Sequence, residues 1–243
     1  MQIEDCRLKI LSLVCASLLA SVITGFSQES SPIESPPASP VISPSLASTA
    51  PPARSVRIRF LPPPLEGTIS LGIYNEGNQL VRVLHQEADL DEFEIGEDAL
   101  STKWDGKDDD GQMLPPGKYQ ARGFAIGNLK AQPSTASPTS SPPDLSAPRS
   151  VSIRLVANPL ENDERKVVQL SVGFDDENSY LKTADGLPVF TLSSKPTVRA
   201  ASLAKAGEKA LDVWQDDGTA IEQIHVTNVD KMMAFDCGEI ELK

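Results

Sequence analysis

The stretch Trp104–Tyr119, Trp-Asp-Gly-Lys-Asp-Asp-Asp-Gly-Gln-Met-Leu-Pro-Pro-Gly-Lys-Tyr, constrains the fold of this chain more than any other. One aromatic that gains by burial opens it and another closes it. Between them Gly106 and Gly111 supply backbone freedom, and the neighbouring aspartates favour tight turns through their own side-chain hydrogen bonds. Pro115-Pro-Gly117 excludes a helix and sets a further turn. Beyond it, Lys118–Ile126 alternates apolar and polar residues. This is a strand, a tight turn and a returning strand, so the surrounding fold is expected to be antiparallel sheet.

The preceding sequence alternates in the same way. Val56, Ile58 and Phe60 share one face of Ser55–Phe60, and Ile69, Leu71 and Ile73 share one face of Thr68–Tyr74. Asn75–Asn78 reads as a turn, with Gln79–Leu84 as the hairpin partner. Leu90, Phe93, Ile95 and Leu100 punctuate an acidic stretch, where they are expected to anchor a packed loop or a short edge strand. Short strands at this spacing suit a β-sandwich.

Two Pro/Ser-rich tracts, 28–54 and 131–149, carry little charge and no periodicity. They cannot bury enough surface to offset the entropy of ordering, and are expected to be a disordered tether and a linker. They delimit a first module at 55–130 and a second at 150–243. In the second, strands are expected at 150–156, 166–172, 187–192, 211–214, 221–226 and 232–235, with hairpin turns at Asp185-Gly186 and Asp217-Gly218. Ala201–Leu211 is the segment that reads as a helix, on its Ala, Lys and Glu content, with Gly207 weakening it. The expected class is all-β.

Residues 1–27 read as an export signal. Arg7 and Lys9 precede an uncharged, mostly apolar run, Ile10–Phe26, and Gly25 and Ser27 suit cleavage just after Ser27. The alternative is an uncleaved anchor, for which the run falls short of the roughly 20 residues of a spanning helix. Val14 before Cys15 departs from a lipoprotein box. With Cys6 and Cys15 in the signal, Cys237 alone remains in the exported chain and has no internal disulfide partner. The expected location is secreted, periplasmic or cell-surface. Asp and Glu number 34 against 22 Lys and Arg, a net charge of −12. Such a chain repels phosphate backbones and anionic headgroups, so no nucleic-acid partner is expected, and a membrane only through the signal or anchor.

The first module resembles a known family. Gly67–Tyr74, Gly77–Leu84, Trp104–Gly111 and Leu114–Tyr119 are similar to the Ig-like module of flagellar hook-capping proteins (the FlgD type), over residues of about 55–127. Trp104, Asp105, Gly106, Gly111, Pro116, Gly117 and Tyr119 carry the likeness. It implies an Ig-like antiparallel β-sandwich with a scaffolding or accessory role. It does not imply a flagellar role, because hook-capping proteins are exported without a signal of the kind read at 1–27. Residues 150–243 resemble no family.

Chemistry is sparse. Asp108, Asp109 and Asp110 are calcium candidates by composition, but an EF-hand needs acidic groups at alternate positions and a distal Glu, and this spacing lacks them. Asp175 and Asp176 raise the same question, and turn formation is the preferred reading for both clusters. No cofactor is expected. His85 and His225 lie on expected strands in different modules without a zinc or triad motif. Cys237 lacks a catalytic frame and reads as a buried, inert thiol. No two carboxylates stand out as a glycosidase pair. Trp104 reads as core, whereas Trp214 is either core or an aromatic platform for a sugar. The expected function is a non-enzymatic exported envelope or surface protein that docks or assembles with another envelope protein. The alternative is a glycan- or calcium-binding surface module, and a remoter one an accessory part of an envelope hydrolase.

Overall fold

Alternation becomes strand at almost every place it occurs. The computed structural model describes residues 54–134, 144–145, 149–161, 165–194 and 197–243. The expected signal at 1–27 and the tether up to 53 lie outside them, as does most of the expected linker. Among the described residues there is no α-helix, only a 3-10 turn at Leu90–Glu92. The protein is all-β. Its strands are β1 (Val56–Phe60), β2 (Gly67–Tyr74), β3 (Leu80–Ala88), β4 (Glu94–Ile95), β5 (Leu100–Trp104), β6 (Gly117–Gly127), β7 (Lys130–Pro133), β8 (Val151–Arg154), β9 (Val167–Phe174), β10 (Ser179–Thr183), β11 (Pro188–Ser193), β12 (Ala200–Lys205), β13 (Ala210–Asp216), β14 (Ile221–Thr227) and β15 (Met232–Leu242).

They form two sandwich-like lobes. In the first, a β1-β5-β4 sheet and a β15-β6-β2-β3 sheet enclose one core. Of the residues whose alternation reads from the sequence, Ile58, Phe60, Ile69, Leu71 and Ile73 are at most 5% exposed and Val56 is half-buried. In the second, a β11-β10-β9-β8 sheet and a β12-β13-β14-β7 sheet enclose Ile153, Leu170, Leu181, Leu203, Val213 and Ile224 among others. Every strand pair is antiparallel.

The pairing does not follow the Pro/Ser tract. β15, at the end of the chain, pairs with β6 from Leu242↔Gly117 to Met232↔Ile126, and β14 pairs with β7 just beyond. The second lobe is therefore inserted between β6 and β15 of the first. The two faces of these strands serve different cores, as the two-residue period allows. Tyr119 and Ala121 of β6 face the first core, whereas Phe124 and Ile126 face the second. On β15, Met232 and Ala234 face the second core, and Phe235, Ile240 and Leu242 the first. A bulge between Asp236 and Gly238 skips Cys237 and restores the inward phase. The outer edge of the first half of β15 is also covered. Val156 N–H donates to Met232 O (3.1 Å), Asn158 Nδ2 to Ala234 O (3.1 Å), and Asp236 N–H to Glu161 Oε1 (3.0 Å).

Further contacts lock the lobes together. Glu87, at φ 47°, accepts hydrogen bonds from Thr191 N–H (2.6 Å) and Thr191 Oγ1 (2.5 Å). Arg122 lies 3.8 Å above the buried Tyr74 ring and pairs with Asp185 at 3.2 Å. The Tyr74 hydroxyl, beside these two groups but without a well-formed hydrogen bond, has its pKa raised by burial first and by the Asp185 charge next.

Three expectations need correcting. Residues 201–211 are not a helix: β12 and the start of β13 occupy them, joined by a turn at 206–209. Alanine's helix preference is worth only tenths of a kcal/mol per residue, and pairing of Leu203 with Val213 in the core outweighs it. Leu90 and Ile95 are 45% and 77% exposed and add little to the core, while Phe93 and Leu100 are buried and β4, with Ile95 facing Leu100, is the expected short edge strand. Residues 131–133, expected within the disordered linker, belong to strand β7 and pair with β14; β7 and β10 carry too few apolar residues to signal themselves.

Close approach explains one invariant of the geometry. Gly123 faces Leu71 on β2 and Phe235 on β15, and a Cβ there would sit 2.1 Å from Ser70 O. Backbone cannot yield as a side-chain tip can. Gly123→Ala is expected to cost about 3 kcal/mol, read as a drop in the urea midpoint; an unchanged midpoint contradicts this packing.

Candidate functional site

The motif residues come together as a structural corner. Trp104 is fully buried, its ring 5.1 Å from Tyr119 in an edge-to-face contact, and its indole N–H donates to Lys107 O at 2.8 Å. Tyr119 Oη donates to Pro115 O, also at 2.8 Å. Gly106 and Gly111 take φ of 77° and 78°, which side-chain-bearing residues rarely adopt. Gly106 also lies against Leu242, since a Cβ there would meet its Cδ1 at 2.9 Å. Pro116 and Gly117 turn the chain into β6.

The aspartates of this corner are committed to backbone. Asp105 Oδ1 accepts from Lys107 N–H (3.1 Å), Asp108 Oδ1 from Gln112 N–H (2.8 Å), and Asp109 Oδ1 from Val83 N–H (2.9 Å). The last of these folds the turn over edge strand β3, where Arg82 also donates to Asp108 O at 2.7 Å. Asp110 lies exposed in the same turn. In the second lobe, Asp175 Oδ1 accepts from Glu177 and Asn178 N–H groups (2.8 and 2.7 Å), with Asp176 exposed beside it, and Asp217 Oδ1 accepts from Thr219 and Ala220 (both 2.8 Å). Among the described residues no three His, Cys, Asp or Glu side chains converge to hold a metal ion.

Each histidine sits on a sheet. His225 Nδ1 meets Asp212 Oδ1 at 2.7 Å across β13 and β14. His85 Nε2 meets Thr102 Oγ1 at 2.8 Å, bridging the two sheets of the first lobe, with its ring 4.5 Å from Phe93. Burial lowers the His85 pKa from its ordinary 6.5, against a smaller opposing effect of Glu92. The folded state thus resists a proton that the unfolded chain accepts. This contribution to stability is full above pH 6.5 and is lost as pH falls from there through the folded-state pKa. His85→Gln is expected to flatten the decline of the urea midpoint between neutral and mildly acid pH; an equally steep decline in the variant contradicts it. Cys237 is half-buried in the β15 bulge, and burial raises its thiol pKa to about 12, so it is protonated and unreactive at neutral pH.

Trp214 is 4% exposed, and neither face of its ring is open to a sugar. It pairs across strands with Ser202, and both the indole N–H and Ser202 Oγ are buried without a hydrogen-bond partner among the described residues. On the other face of β13, Gln215 forms a closed ring with Ser179 and Ser193, with hydrogen bonds of 2.5 to 3.1 Å joining the two sheets. Nothing in the local sequence announces this ring, since its members are separated by long intervals and meet only when the sheets stack.

The concavity best placed for recognition lies where the lobes meet at the bulge of β15. It encloses about 560 Å³. Phe60 and Phe235, stacked at 5.1 Å, form its floor. Leu61 and Leu160 stand at its rim, 59% and 54% exposed, with Arg59 and Glu161 adding charge. Sequence reading passed over both leucines. Each adjoins a proline, Leu61 before Pro62 and Leu160 after Pro159, which holds it outside the sheets. No family model, no curated protein and no solved structure matches this chain.

Proposed function

We propose that the chain is a non-enzymatic, exported envelope or surface protein that docks another envelope protein at the cleft beside the β15 bulge. The observation that carries the reading is the pair Leu61 and Leu160, large apolar side chains held more than half exposed at the rim of one cleft. Exposed apolar groups gathered around a concavity mark interaction surfaces more often than isolated ones do. Phe60 on β1 and Phe235, Asp236 and Cys237 on β15 line the cleft from within the sheets, so that wall is preorganised for binding. Export, through the signal read at 1–27, supplies the compartment.

The first lobe is read as an Ig-like module of the hook-capping type. In favour is the Tyr119 Oη–Pro115 O hydrogen bond, which repeats the tyrosine corner of Ig-like sandwiches, a tyrosine at the start of a strand bonding back to backbone upstream. A photo-crosslinking residue at position 160 in the native envelope is expected to capture one dominant protein, and Leu61→Asp with Leu160→Asp to lose it. Absence of an adduct, or turnover of an envelope polymer by the purified chain, overturns the proposal.

A further inference from the structure

The open end of the second lobe reverses the charge of the chain. A concavity of about 510 Å³ there is lined by Arg154, Arg165, Lys205 and Lys209, against only Glu208 and Asp230. The chain as a whole carries −12. Lys209 and Asp230, the latter 18% exposed, pair at 3.2 Å through Oδ2 and offset each other. Arg154, Arg165 and Lys205 are exposed, and no described carboxylate is in ion-pair contact with them.

The fold makes these cations converge. Arg154 ends β8 opposite Val167, so Arg165 lies just beyond on the neighbouring chain segment. Lys205 ends β12 in the facing sheet, and the turn after it carries Lys209. β8 and β12 are both edge strands, and a cation on each would by itself serve to discourage edge pairing. That explains one charge per edge. It does not explain three cations unpaired among the described residues, Arg154, Arg165 and Lys205, from three separate segments around one hollow.

Guanidinium groups bind carboxylate and phosphate through paired hydrogen bonds, and a hollow of this size takes more than a single ion. We propose that this end of the second lobe binds the repeated oxyanions, phosphate or carboxylate, of an acidic polymer. It shares no lining residue with the docking cleft.

The test is calorimetric titration of the chain from residue 28 onward with linear polyphosphate and with polygalacturonate. Neutral dextran and duplex DNA serve as comparisons. At least one acidic polymer is expected to bind at low salt, and the tighter of the two identifies the source of the oxyanion. Arg154→Gln with Arg165→Gln is expected to weaken binding at least about tenfold and to lower the slope of log affinity against log salt by about 1.5. Lys118→Gln, which removes an exposed Glu239 pair on the first lobe, is expected to leave binding unchanged. Equal binding by the double variant, no binding of either polymer at low salt, or tighter binding of DNA than of both overturns the proposal.

Discussion

A chain ending at Lys231 is expected to leave its first lobe unfolded. The missing segment holds Phe235, Ile240 and Leu242, which face the first core and are at most 8% exposed. Each such side chain contributes about 1.5–3 kcal/mol through burial, so the three together supply roughly 5–9 kcal/mol. A whole domain is stable by only about 5–15 kcal/mol. The β6–β15 ladder goes as well, exposing β6 as a long edge in the middle of the body. Amide spectra of the truncated chain are expected to lose dispersion for residues 54–127. A peptide of residues 232–243 added in excess is expected to restore part of it. Native-like dispersion without the peptide contradicts the inserted arrangement.

Trp104→Ala is the single substitution expected to do most harm in the motif, at about 3–5 kcal/mol. Trp104 is fully buried, touches Tyr119 edge to face, and ties the turn through Lys107 O. Trp104→Phe keeps much of the apolar volume and loses the hydrogen bond, and Tyr119→Phe loses only the bond to Pro115 O. Tyr119→Phe is therefore expected to cost about 1 kcal/mol, the net worth of an ordinary hydrogen bond. Urea denaturation of the three variants gives the order directly. A Trp104→Ala loss no greater than that of Tyr119→Phe contradicts the corner.

Local periodicity made the first lobe largely legible. Ile58, Ile69, Leu71 and Ile73 are buried because alternation put them on one face, and Gly106 and Gly111 turn where turn chemistry placed them. What the sequence concealed is long-range. β15 looked like a short strand at 232–235, because the bulge at Cys237 breaks the alternation before Ile240 and Leu242 resume it. Its partner β6 lies more than a hundred residues earlier, and no local signal names a partner across that distance. β12 misled for a related reason, since Ala and Lys favour helix locally while pairing decides. The clefts were harder still. Leu61 and Leu160 become neighbours, and Arg154 and Lys205 converge, only after the sheets have stacked.

The inserted arrangement is tested most directly by a disulfide between Gln120→Cys and Glu239→Cys, which are facing positions of β6 and β15. Facing positions of an antiparallel pair bring Cα atoms to about 4.5–5.5 Å, within the range a disulfide spans. Cys237, with its thiol pKa raised to about 12, does not compete. Rapid, near-complete oxidation of this pair is expected with a raised melting temperature, whereas Gln120→Cys with Glu241→Cys, out of register because Glu241 faces Lys118, is expected to stay reduced. Failure of the facing pair to oxidise, or equal oxidation of both, would contradict a last strand that closes the first lobe.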